Sequence, residues 1–206
     1  MSLKTFVKIG KIENLSDARY CAGMMVDILG FNLEEGTEGF VSAEKFKEIT
    51  DWVAGVKFCG EFANAQVAEV KLATTNYPID YIEIQNPDQL EELSELSQSL
   101  IYKIVIRDQS DLDKLTSQIA FAQDLVEYIS IQCTNESLYE AIEQTLTNAT
   151  TSSQLIRDYD LSEENADKIA EQGVFSGIEL EGSPEDRPGF KDYGKVMDIL
   201  EVLEVD

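Results

Sequence analysis

Short β-rich runs separated by helical patterns recur along this chain at intervals of about 25 residues, the spacing of repeated βα units. Eight such runs can be marked, at residues 5–10, 27–32, 56–62, 79–85, 101–106, 126–132, 153–157 and 175–180. Several are continuous apolar stretches rather than alternating ones, as strands covered on both faces must be. An open, doubly wound sheet also alternates strands with helices, but it usually needs only about five or six strands. Eight units favour closure, so the expected fold class is α/β, a (β/α)8 TIM barrel, with residues 1–206 forming a single domain.

Each intervening helix carries one apolar stripe that would pack on the barrel: Leu90, Leu93 and Leu96; Leu112, Leu115 and Ile119; Val196, Ile199, Leu200 and Leu203. Ser16, Ser42, Asn64, Ser110 and Ser162 stand where an N-cap oxygen would accept an orphan helix amide. Residues 34–39 and 148–152 read as loops. Met1-Ser2-Leu3 precedes the first strand signal and is read as a cloning remnant outside the fold.

The chain has 206 residues, 43% of them apolar, enough for one substantial core. It contains no apolar run of about 18 residues and no signal-peptide pattern, which points to a soluble, cytoplasmic protein. Forty acidic residues against sixteen basic ones give a net charge of -24, a field that repels nucleic acid and anionic lipid. Cys21, Cys59 and Cys133 are odd in number, far apart and unaccompanied by any histidine, so neither a zinc spacing nor a disulfide framework is expected. Without histidine, Ser-His and Cys-His nucleophile pairs are impossible.

Val7-Lys8-Ile9-Gly10, then Asn14-Leu15-Ser16-Asp17-Ala18, then Asp27-Ile28-Leu29-Gly30-Phe31 resemble the opening VKICGIT, NLEDA and ADALGF of phosphoribosylanthranilate isomerases. In the same order, Gly60-Glu61-Phe62-Ala63-Asn64 is similar to the family's GVFVN, Leu161-Ser162-Glu163-Glu164-Asn165 to LNPEN, and Pro188-Gly189-Phe190-Lys191-Asp192 to PGKKD. The resemblance covers nearly the whole chain and implies a tryptophan-biosynthesis barrel that rearranges an anionic aminoaldose ester to an aminoketose. By that resemblance a Cys after the first strand would be general base and an Asp after the sixth general acid, one accepting the C2 proton and the other donating to the ring oxygen.

At those two positions this chain has Gly10 and Gln132, neither of which titrates near neutrality. Cys133 lies one residue beyond and alternation turns it to the opposite strand face, as a packing residue or a relocated base. The phosphate turns SGG and SSG of the family, which offer backbone amides to the anion, correspond to Asp158-Tyr159-Asp160 and Glu181-Gly182-Ser183. A carboxylate about 4 Å from a phosphate costs on the order of 4 kcal/mol at an effective dielectric near 20. Arg157 and Lys8 would either offset this by phosphate capture or form ion pairs with Asp158 or Glu179 in the mouth. The family's basic SPRY loop aligns with Thr37-Glu38-Gly39-Phe40 and its QLHG with Glu83-Ile84-Gln85-Asn86.

The C-terminal face of the barrel, where such folds place their chemistry, therefore carries Lys8, Glu83, Gln85, Gln132, Arg157, Asp158, Asp160, Glu179, Glu181, Gly182 and Ser183 as candidate ligand-binding groups. Converging carboxylates can hold Mg2+ or Ca2+, or keep one member protonated, but no spacing selects a metal site, and no cofactor is expected. Three functions remain open: a degenerate relative that binds or regulates, an isomerase with displaced groups, and a barrel repurposed for a neutral or cationic ligand. A small molecule at the C-terminal face is the expected partner; nucleic acid and membrane are not.

Overall fold

A computed structural model describes residues 2–182 and 194–205. Eight parallel strands close into a barrel: β1 (Phe6–Gly10), β2 (Ile28–Asn32), β3 (Lys57–Phe62), β4 (Tyr81–Ile84), β5 (Ser99–Ile106), β6 (Tyr128–Cys133), β7 (Gln154–Asp158) and β8 (Gly177–Glu181). Closure runs through β1 and β8, in register from Phe6 opposite Gly177 to Gly10 opposite Glu181. Helices follow the strands as α1 (Leu15–Gly23), α2 (Ala43–Thr50), α3 (Val67–Asn76), α4 (Leu90–Leu93), α5 (Gln109–Ala122), α6 (Tyr139–Thr147), α7 (Ala166–Gln172) and α8 (Gly194–Leu203). The arrangement is the expected (β/α)8 TIM barrel.

Strand alternation divides the core in two. Inward side chains Ile28, Cys59, Ile101, Tyr128 and Ile156 make a small plug inside the barrel. Outward ones such as Leu29, Ile82, Ile104 and Ile129 join the helix stripes in a much larger layer. In α5 the stripe Leu112, Leu115 and Ile119 is buried, each side chain stabilising by roughly 1.5–3 kcal/mol. The Leu90–Leu93–Leu96 stripe is shorter than expected: Pro87 opens a 3-10 turn at Pro87–Gln89, α4 is a single turn, and Leu96 only partly packs beyond it.

Among the five expected caps only Ser42 acts as one, accepting from Lys45 N. At α1 and α5 a nearby amide or carboxylate takes the role. Asn14 Oδ1 caps α1 and Asp108 Oδ1 caps α5, leaving Ser16 and Ser110 inside their helices. Gln66, not Asn64, precedes α3, where Glu69 reaches back to the Gln66 amide at 2.6 Å. Ser162 precedes α7 by a turn, and its own amide donates to Asn165 Oδ1.

The expectation that the N-terminal residues stand outside the fold is corrected for Ser2 and Leu3. They pair antiparallel with Glu204–Val205, and Leu3 packs against the outer core. No helix among the described residues is long and apolar enough to cross a membrane.

Candidate functional site

The inward face above the apolar plug is ionic. Lys8 on β1 is fully buried, its Nζ lying 2.6 Å from Glu61 Oε1 on β3, 2.8 Å from Glu83 Oε2 on β4 and 2.6 Å from Glu179 Oε1 on β8. Lys103 Nζ on β5 lies 2.9 Å from Asp158 Oδ2 on β7, 2.8 Å from Glu179 Oε1 and 3.7 Å from Glu83 Oε1. Ser130 on β6 donates to the other Glu179 oxygen at 2.5 Å. Six of the eight strands contribute a charge, each from one inward position of its alternation.

This layer holds four carboxylates and two ammoniums. Full ionisation would leave two uncompensated charges where desolvation is severe, so protons are retained. Burial, with Glu179 adding to it against the pull of Lys103, pushes the Asp158 carboxyl up to about 7. Burial and then Glu179 likewise raise Glu83. Glu179 goes the other way: burial opposes its ionisation, but Lys103 and Lys8 together hold it below the usual carboxylate range. Burial also opposes the charged lysines, yet the surrounding carboxylates raise both well above the ordinary range. Lys8 and Lys103 are therefore ammoniums, not nucleophilic amines.

Glu61 lies across two glycines. A Cβ added at Gly10 would meet Glu61 Oε1 at 2.6 Å, and one at Gly30 would meet it at 2.0 Å. These positions must lack side chains for the Glu61 carboxylate to reach Lys8 and to accept the Lys11 amide through Oε2 at 3.1 Å. The sequence reading did not select Glu61 or Lys103. For Lys103 the signal was a lone charge inside an otherwise apolar strand, on the same face as Ile101; Glu61 shares its strand and face with Lys57 as well as Cys59, so it stood out less.

A cavity of about 560 Å³ opens above this layer at the C-terminal mouth, bordered by Gly10, Gln85, Gln132, Glu181 and Gly182, with Glu83 and Glu179 among its floor groups. Gln132 Nε2 faces Glu181 Oε1 at 3.5 Å, and Lys11 Nζ holds the same oxygen at 2.7 Å. The Gly182 amide donates to the Gly10 carbonyl at 2.8 Å. Ser183, and the 188–192 segment similar to PGKKD, lie outside the described residues.

Arg157 corrects both sequence-based alternatives. It neither pairs with Asp158 or Glu179 nor faces the mouth, because alternation puts it on the opposite side of β7 from Ile156 and Asp158. Its guanidinium is buried in the helix layer, paired with Glu143 and, at 3.1 Å, with Asp160. It donates through Nε to Tyr159 O and stacks 4.2 Å from the centroid of the Tyr159 ring. Asp158 and Asp160 consequently have different partners: the first pairs inward with Lys103, the second with Arg157. Lys8 pairs with Glu179 as one alternative had it, and with two further glutamates, beneath the mouth rather than at an anion turn. Asp160 adopts φ 48, a left-handed backbone that glycine, the third residue of the family's SGG, takes at least cost. A smaller cavity of about 250 Å³ lies beside Asp158, Asp160, Gln132 and Glu181.

Cys133 turns outward into the helix-side core, where burial pushes its thiol up. Oxygens of Glu61, Glu83 and Glu179 come within 4.8 Å of one another, a spacing that suits a cation, and the Lys8 ammonium forms ion pairs with all three.

No family model matches the chain, and no curated protein does so significantly. Solved structures do match over nearly the full length. Phosphoribosylanthranilate isomerase from Thermotoga maritima superposes with a TM-score of 0.76 at 16% identity, covering 97% of this chain and 98% of that one. The enzyme from Thermus thermophilus gives 0.73 at 18% identity, covering 96% and 98%. A phosphoribosylanthranilate isomerase in complex with reduced 1-(o-carboxyphenylamino)-1-deoxyribulose 5-phosphate gives 0.74 at 18% identity, covering 97% and 98%. The chain thus has the fold of these isomerases.

Proposed function

We propose that this barrel is a relative of phosphoribosylanthranilate isomerase that no longer runs the family's proton transfer and instead binds a small molecule at its C-terminal mouth, as a binding or regulatory protein of the cytoplasm. The observation that carries this reading is the Glu61 carboxylate, which fills the space a side chain at position 10 would occupy and is tied to Lys8 Nζ and the Lys11 amide. The resemblance gives valine at the Glu61 position and cysteine at the Gly10 position, so the two changes are sterically linked. Loss of the base is part of how the ionic layer is built.

Anion capture is weakened in parallel. The Gly182 amide is committed to Gly10, and Glu181 stands beside Gln132 where the resemblance expects an acid and a phosphate turn. A second reading rests on the same geometry: Glu61 and Glu181 adjoin the two vacated positions and would serve as displaced base and acid. Expression in a tryptophan auxotroph lacking the isomerase separates the two. The first reading expects no growth. Growth that Glu61→Gln abolishes would establish the second. Thermal shifts with phosphorylated, neutral and cationic metabolites test the binding role, with stabilisation expected for at least one class.

A further inference from the structure

We infer that the backbone amides of Ala63 and Asn64, at the edge of the mouth, form a carboxylate-binding site that the chain closes to outside anions with its own Glu34. A single oxygen, Glu34 Oε2, accepts from Ala63 N at 2.8 Å and from Asn64 N at 2.9 Å. Successive amides that converge in this way make an anion-binding concavity. The pair stands ahead of α3, where Glu69 reaches back to the Gln66 amide, so it is distinct from the end of that helix. The surroundings do not attract a carboxylate by charge: Glu13, Glu38 and Glu61 line the same cavity. A carboxylate seated against that field marks donors well placed to hold one.

The loop that carries Glu34 is built to present it. Asn32, at the end of β2, donates through Nδ2 to Thr37 Oγ1 at 2.9 Å and to Glu38 O at 2.7 Å, while its Oδ1 accepts the Glu34 amide at 3.0 Å. Thr37 Oγ1 donates to Glu34 O at 2.7 Å, and Gly36 and Gly39 take the left-handed φ values 83 and 75 that the reversals of this loop require. Glu34, Thr37 and Glu38 border the mouth cavity from one side and Ala63 and Asn64 from another, so the contact joins two of its walls. Tethering keeps the Glu34 carboxylate at an effective concentration of roughly millimolar or more, and a dilute free anion does not displace it. Glu34 is thus an internal competitor. With it seated the amides are committed; with it removed, Ala63 and Asn64 are exposed and a small carboxylate can take both donors. The inference goes beyond the reading of the mouth as a ligand site and does not depend on it.

Titration of isotopically labelled Glu34→Ala with sodium formate, against sodium chloride at matched ionic strength, tests the assignment by amide resonances. Those of Ala63 and Asn64 should shift saturably with formate, with a midpoint on the order of tens of millimolar, and not with chloride. In the parent, and in Glu35→Ala, which removes a neighbouring exposed charge, formate should leave them unmoved. Formate should also return part of the melting temperature lost in Glu34→Ala. Shifts that stay linear and match those in chloride overturn the inference, as does an equal formate response in the parent. Should Glu34→Ala fail to fold, Glu34→Gln takes its place: a neutral amide oxygen is the weaker acceptor, so Ala63 and Asn64 should exchange hydrogen roughly fivefold to tenfold faster than in the parent, and unchanged exchange overturns the inference. None of these readouts needs a metabolite in the mouth, so failure here leaves the ligand-site reading standing, and a silent metabolite screen leaves this one standing.

Discussion

Adding a single methyl at Gly10 should destabilise this protein, and the loss should vanish when Glu61 is also removed. In Gly10→Ala the new Cβ would sit 2.6 Å from Glu61 Oε1 and 3.4 Å from Lys8 Nζ and Glu179 Oε1, so Glu61 must turn away. It then gives up its ion pair with Lys8 and its bond from the Lys11 amide. Removing one partner of a fully buried pair costs about 3–5 kcal/mol. Here Lys8 keeps Glu83 and Glu179, and the Glu61 side chain, 12% exposed, can turn into the mouth, which reduces the loss to about 1–3 kcal/mol. The smaller unfolded-state entropy of alanine returns about 0.4–1 kcal/mol. Glu61→Val removes one carboxylate from a layer with four against two ammoniums and should cost under about 1 kcal/mol. In the double variant no clash remains, so the cycle should show a coupling of about 1–2 kcal/mol, read from urea midpoints of the four proteins. Costs that add to within about 0.5 kcal/mol would mean that Glu61 does not occupy the space over Gly10.

The remaining predictions concern other parts of the same layer and its surroundings. Asp158 has a carboxyl raised to about 7, so the native state binds more protons than the unfolded chain between about pH 4 and 7 and stability falls as pH rises through that window, by up to about 1.4 kcal/mol per unit. Glu179, held low, has the opposite sign and loses its contribution only on acidification below the ordinary carboxylate range. Unfolding midpoints of the parent and Asp158→Asn should therefore diverge in slope between pH 5 and 7, and identical slopes would exclude Asp158 as the proton carrier. Arg157→Lys should destabilise by about 1–3 kcal/mol, because an ammonium cannot both stack on Tyr159 and span Glu143 and Asp160; an unchanged melting temperature would contradict the assigned outward role. Cys21, Cys59 and Cys133 are all free and buried, so a thiol reagent should label none rapidly in the native state and all three in urea.

Much of the fold was legible because the barrel strands are buried on both faces, which leaves continuous apolar runs at a regular interval. The eight runs and the eight strands differ mainly by a residue or two at their ends. Caps were less legible, since serine, asparagine and aspartate compete for the same orphan amides and only packing decides which one wins; Asn14 and Asp108 displaced Ser16 and Ser110. In the site, Lys8, Glu83, Asp158 and Glu179 were identified from position on the strands, but their assembly into one layer required closure of the barrel. Arg157 was misplaced for want of a rule already applied to Cys133: neighbours on a strand face opposite ways. Glu61 was passed over because its meaning lies in space, over two glycines from other strands, and no spacing along the chain records that contact.

The central claim concerns chemistry at the mouth, and anthranilate fluorescence tests it directly. Purified protein mixed with freshly generated phosphoribosylanthranilate should leave the fluorescence decay at the rate of buffer alone. Acceleration that scales with protein concentration and disappears in Glu61→Gln would show that the barrel still turns over that substrate and that Glu61 has inherited the base's role.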